Sequence, residues 1–213
     1  MLEEVTLVLT SCNRLDLLDR TLASIGDEVL DSIKHKIIID DSGDPSVRDY
    51  FTKYKTQDGW RILLNKDNLG QPKSVDKAYS LVDTPYIFHC EDDWNFASVP
   101  LEECLDVLNT RKDILQVTFR QGCPHLEGVL ETTPKGTNYR VKVPGWRGQW
   151  YGFTYNPSIF RKEAYEKVKP YSGKLEEDIS KLYYDKGYLS ASLQNKTYHH
   201  IGDGRGTESY KIL

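Results

Sequence analysis

Apolar and polar positions alternate along the first half of the chain in a strand-then-helix rhythm. Residues 5–10 (Val-Thr-Leu-Val-Leu-Thr) are an apolar, β-branched run ending in the polar cluster Ser11-Cys12-Asn13-Arg14, which predicts a buried strand leaving a sheet. Leu15, Leu17, Leu18, Leu22 and Ile25 then recur at helical spacing, and Gly26 offers a stop. A second buried strand is predicted at 35–39, closed by the turn and cap formers Asp40-Asp41-Ser42-Gly43-Asp44. Strand, helix, strand within about forty residues implies a right-handed parallel unit. The rhythm repeats with a strand at 60–65, a turn at 68–72, a helix at 73–81, a strand at 86–90 running into Glu91-Asp92-Asp93-Trp94, and a helix at 100–110.

Beyond residue 114 the alternation weakens. Strands are expected at 114–120 and 150–156, a loop or hairpin at 121–147, a helix at 174–186 and a glycine-rich tail at 202–206. No internal repeat or linker divides the 213 residues, so a single α/β domain is expected, a mostly parallel, Rossmann-like sheet flanked by helices with polar groups where strands end.

Composition narrows the function classes. A net charge of -4 and a pI near 5.8 argue against a nucleic-acid-binding chain, which needs a basic face. Cys12, Cys90, Cys104 and Cys123 show no CxxC pairing, so reduced thiols in a cytosol-like compartment are expected. No signal peptide or run of ~20 apolar residues is visible, which predicts a cytoplasmic protein, soluble or peripheral, without a transmembrane segment. Asn195-Lys196-Thr197 fits a glycosylation sequon and reads as a chance match.

The strongest chemical signal is Glu91-Asp92-Asp93 at a strand's carboxyl end. Three adjacent carboxylates repel unless solvent or a cation compensates them, and hard cations such as Mg²⁺ or Mn²⁺ take oxygen ligands and bridge to diphosphates. Helix capping is the plainer role for such a triplet, but two other polar clusters at strand ends favour the cation. Asp40-Asp41 can accept hydrogen bonds from a base or ribose, although the same residues make good turns. Neither G-x-G-x-x-G nor G-x-x-x-x-G-K-[ST] occurs, which weakens dehydrogenase and P-loop readings. Leu175-Glu176-Glu177-Asp178 opens a helix, where acids favour the dipole or aim a base across a site. His199-His200 adjoins a glycine-rich loop carrying Arg205 and offers metal ligands.

In order along the chain, 6–14, Ile37-Ile38-Ile39-Asp40-Asp41-Ser42, Asn68-Leu69-Gly70 with Lys73, Glu91-Asp92-Asp93, Phe160-Arg161 and Glu177-Asp178 resemble the landmarks of family-two-like GT-A glycosyltransferases. The resemblance implies a nucleotide-binding half at 1–95 and an acceptor-binding half at 96–213. It implies donor contacts from Thr10, Ser11, Asn13, Arg14, Asp41, Lys73, Asp92 and Arg205, and Mn²⁺ or Mg²⁺ on Asp93 with His200 as a further ligand. Asp178 or Glu177 would be the general base. A UDP-sugar donor, a glycan or glycoprotein acceptor and transfer with inversion follow from the same likeness. The triplet begins with Glu rather than Asp, and Lys73 stands where an arginine is common. Compact size also resembles glycosyltransferase domains of large algal viruses, which would place the protein in host cytoplasm.

Trp146, Trp150 and Tyr151 are candidates to stack on acceptor or donor sugar. Two other readings remain open: a sugar-phosphate nucleotidyltransferase, which would want a glycine-rich loop after the first strand, and a non-catalytic module, either receiver-like or a binding protein that lost turnover.

Overall fold

The apolar run near the N-terminus becomes β1 (Leu2–Ser11), the strand around which the rest is arranged. The structure, a computed structural model, describes residues 2–55, 59–119, 128–142, 151–194 and 198–202. Trp146, Trp150, Arg205, Cys123 and the 195–197 sequon lie outside them.

From β1 the chain passes through α1 (Leu15–Ile25) and α2 (Asp27–Ser32) into β2 (Ile33–Asp40), then α3 (Val47–Lys55) and β3 (Trp60–Leu64). Next come α4 (Gln71–Tyr79), β4 (Tyr86–Glu91), β5 (Trp94–Phe96), α5 (Leu101–Thr110) and β6 (Ile114–Thr118). The second half adds the hairpin β7 (Val129–Thr132) and β8 (Asn138–Val141), β9 (Ser158–Arg161), α6 (Lys162–Val168), α7 (Glu176–Asp185), β10 (Leu189–Leu193) and β11 (Tyr198–His200).

The main sheet has the order β3-β2-β1-β4-β9-β6-β10-β8-β7, and β5 pairs separately with β11. Only β9 and β8 run against the other seven strands. Alternation along the strands feeds helices on both faces. Leu7 and Leu9 of β1 join cores with α1, α3 and α5, while Val8 faces α4, α6 and α7. β2 and β4 flank β1 on opposite sides, so connections leave β1 in both directions and a crevice opens at the carboxyl ends of these strands.

The expected strand at 150–156 is not formed over its described part; the strand begins at Ser158. Its backbone hydrogen bonds go elsewhere, because the amides of Tyr151 and Phe153 both donate to the Ser180 hydroxyl on α7 at 3.0 Å. Gly152 adopts φ +122° against Ser190, and Pro157 has no amide to give a ladder.

Under this segment lies His89 of β4, buried between Tyr79 and Tyr155, with neither ring nitrogen hydrogen-bonded among the described residues. Burial alone pushes its pKa down to about 3. The folded state therefore refuses a proton that the unfolded chain accepts below about pH 6.5. Stability does not depend on this group above that pH, and it falls as pH drops through the window from about 6.5 to 3. At pH 5 the expected loss is on the order of 2 kcal/mol, and His89→Leu removes it. Denaturant midpoints of both proteins at pH 7 and pH 5 check this; equal acid sensitivity in the variant contradicts it.

Candidate active site

The parallel register brings three polar strand ends side by side: Ser11 lies opposite Asp40, and Thr10 lies between Ile39 and Glu91. Of the sequence-predicted residues, Thr10, Ser11, Asn13, Arg14, Asp41, Asp92, Asp93 and His200 meet in this crevice.

Asn13 turns the chain after β1 with φ +53°, a left-handed conformation that asparagine tolerates better than most residues. Two neighbouring acids hold it there, Asp40 accepting its amide at 2.9 Å and Asp44 accepting its side-chain amide at 3.0 Å. Asp40 also accepts both the amide and the hydroxyl of Ser42, which makes it the staple between the loops after β1 and β2. Asp41 is differently engaged. Its Oδ1 accepts Asn65 Nδ2 at 2.7 Å and the Leu69 amide at 2.9 Å, whereas Oδ2 takes no hydrogen bond among the described residues.

Arg14, at the start of α1, lays its guanidinium across Asp92 and Asp93. It pairs with both oxygens of Asp92 and donates from Nη1 to Asp93 Oδ2 at 2.7 Å. Burial pushes the Asp92 carboxyl up to about 6 against the pull of Arg14. Glu91 is pushed up to about 7, first by burial and then by Asp93, while the Trp94 indole and the Gln71 side chain donate to it and lower it.

β11 completes the crevice. Its pairing with β5 sets His200 opposite Trp94, with Nε2 3.1 Å from Asp93 Oδ2, and strand alternation sends His199 to the other face. The Ile201 amide donates to the Asp93 carbonyl at 2.8 Å. Gly202 then passes so close that a Cβ there would lie 2.4 Å from Asp93 Oδ2. Gly202→Ala is expected to displace that carboxylate and weaken Mn²⁺-dependent nucleotide binding roughly tenfold, with an unchanged melting temperature. Calorimetry with and without Mn²⁺ reads this, and wild-type affinity in the variant refutes it.

The donor atoms suit a hard cation. Asp93 Oδ1 is buried without a hydrogen-bond partner among the described residues, an expensive condition for a carboxylate oxygen unless something charged compensates it. No group of three His, Cys, Asp or Glu side chains gathers into a metal site among the described residues. Asp93 and His200 are the described side chains that could hold a hard cation here.

The remaining predicted residues fall elsewhere. Lys73 is exposed on the first turn of α4, without a hydrogen bond or ion pair among the described residues. Tyr151 stacks on Tyr184 of α7 at 5.2 Å. Asp178, the third residue of α7, turns back to accept the Leu175 amide at 3.2 Å at the helix start, and Glu177 beside it is exposed.

The sequence reading passed over Glu176. Desolvation of its carboxyl pushes its pKa up, against the Thr154 hydroxyl, the Tyr155 backbone and Lys142, and its charge helps to raise Glu91. As a whole residue Glu176 is exposed, like Glu177 and Asp178 after it.

Against this geometry, the sequence profile of "Glycosyl transferase family 2" matches residues 6–169, more than half of the chain. The chain belongs to glycosyl transferase family 2. Among solved structures, S. aureus TarS 1-349 in complex with UDP-GlcNAc superimposes with a TM-score of 0.65 at 13% identity, over 99% of this chain and 61% of that one. The mannosyltransferase PcManGT from Pyrobaculum calidifontis, in complex with GDP-Man and Mn2+, gives 0.62 at 14% identity, over 95% and 58%. These likenesses show a shared fold, and the chain spans about three-fifths of each neighbour's length. No curated protein sequence matches the chain. Nothing in these matches supports the narrower likeness to algal-virus enzymes, while family membership removes the footing of the nucleotidyltransferase and receiver-like readings. No helix among the described residues is long and apolar enough to cross a membrane.

Proposed function

We propose that this family-two chain transfers a sugar from a nucleotide diphosphate donor, a UDP-sugar first, to an acceptor hydroxyl on a glycan, with inversion and dependence on Mn²⁺ or Mg²⁺. The observation that carries the reading is that Asp93 Oδ1, just past β4, is buried without a hydrogen-bond partner among the described residues.

Each residue then has a task its surroundings permit. Asp41 offers its open oxygen to the nucleobase and Thr10, Ser11 and Asn13 line the nucleoside, while Asp92, fully buried with both oxygens held by Arg14, positions that guanidinium instead of meeting the ribose. Asp93 and His200 would hold the cation, which supplies charge neutralisation on the leaving diphosphate. Arg14 adds a second positive charge beside it.

Glu176 takes the acceptor proton, replacing Glu177 and Asp178 in that role. Its desolvation raises proton affinity toward the useful range, while Lys142 and Thr154 favour the ionised form that can accept a proton. Attack from the side opposite the diphosphate inverts the anomeric carbon.

The test is a panel of UDP- and GDP-sugars incubated with Mn²⁺, reading released nucleoside diphosphate and the anomeric configuration of the product sugar by NMR. Release from one donor class with an inverted product is expected. No release from any donor in Mn²⁺ or Mg²⁺ overturns the proposal.

A further inference from the structure

We infer that Lys77 and Asn65 are positioning residues for the nucleobase, locking Asp41 as an obligatory hydrogen-bond acceptor and so selecting bases that carry a ring N–H. This rests on the proposed contact between Asp41 and the base.

The chain of bonds begins on α4. Lys77 Nζ donates to Asn65 Oδ1 at 2.6 Å. Asn65, buried just past β3, donates through Nδ2 to Asp41 Oδ1 at 2.7 Å and to Ser74 Oγ at 2.8 Å. Ammonium groups only donate and ionised carboxylates only accept, so the asparagine has one possible orientation, with its carbonyl toward Lys77 and its amine toward Asp41. The Leu69 amide supplies a second donor to the same oxygen at 2.9 Å. Two donors therefore fix the plane of the Asp41 carboxylate, leaving Oδ2 as the acceptor that a ligand meets.

An acceptor at this point discriminates by chemistry. Uracil, thymine and guanine carry a ring N–H on their pairing edge. Cytosine and adenine present a lone pair there, which would face the carboxylate's own lone pairs. The same rejection applies to a base whose ring nitrogen is methylated, because a buried acceptor left without a donor is costly.

The experiment measures Kd in Mn²⁺ for UDP, N3-methyl-UDP, GDP and N1-methyl-GDP with wild type, Asp41→Ala, Asn65→Leu and Lys77→Met, with melting temperatures as the folding control. Wild type is expected to prefer the unmethylated nucleotide by roughly ten- to a hundredfold. Asn65→Leu and the surface change Lys77→Met are expected to cut that preference several-fold, acting on the unmethylated ligand and leaving the methylated one unchanged. A preference lost in Asp41→Ala but intact in both other variants overturns the positioning role while sparing the base contact. A wild type that is indifferent to methylation, or binds none of the four, overturns both.

Discussion

Glu176→Gln lowers turnover by roughly 10²- to 10⁴-fold while leaving nucleotide affinity within a few-fold of wild type. Glutamine keeps the size of the side chain and removes its ability to take a proton, so the loss falls on kcat. Glu177→Gln, one residue further along the exposed face, changes turnover only slightly. Asp178→Asn acts on stability, because Asp178 holds the Leu175 amide at the start of α7; a weakened cap costs about 1 kcal/mol and lowers Tm without lowering kcat comparably. Steady-state kinetics of the three variants beside their calorimetric Kd values and melting curves separate these roles. If Asp178→Asn abolishes turnover in a fully folded protein and Glu176→Gln does not, the base is Asp178.

Asp93→Asn removes the Mn²⁺ dependence of turnover and lowers its rate on the order of 10³-fold, the scale of several kcal/mol of charge stabilisation at the leaving group. Folding is not expected to suffer. The substitution removes a carboxylate whose repulsion helps raise the pKa of Glu91 and Asp92, and its amide still offers an oxygen to Arg14 and His200. Rates in Mn²⁺ and in chelator, for wild type and variant, check this; an undiminished Mn²⁺ response in Asp93→Asn contradicts the assignment.

Much of this was legible in the sequence because its first half is written in strong periodicities. The runs at 5–10, 35–39 and 86–90 became β1, β2 and β4, and their polar ends met because strands in parallel register finish together. The elements that escaped have weaker signatures. Val47, Phe51 and Tyr54 of α3 form only a short apolar stripe among charged residues, and β5 and β11 are three residues each, too short to show alternation. The strand expected across 150–156 failed for tertiary reasons, since Ser180, thirty positions downstream, takes the amides a ladder would need.

Glu176 as the proposed base draws on a pattern already present in the sequence. Leu175-Glu176-Glu177-Asp178 places an acid three residues after the N-cap, the position whose side chain turns back to cap the helix. That commits Asp178 to the cap and leaves Glu176, the first helical residue, outside it. By contrast, no sequence signal links Asn65 and Lys77 to Asp41, because their alignment depends on how α4 packs against β1 and β2. The sequence-profile match also ends at residue 169, before α7, so Glu176 rests on the geometry of this chain alone.

The most direct test of the account is a calorimetric titration of the wild-type protein with UDP and with GDP, each in Mn²⁺ and in chelator. The account predicts binding of at least one nucleotide that strengthens roughly tenfold or more with Mn²⁺, as a cation shared between Asp93 and the diphosphate requires. Nucleotide binding that is indifferent to the metal, or no binding under either condition, contradicts it.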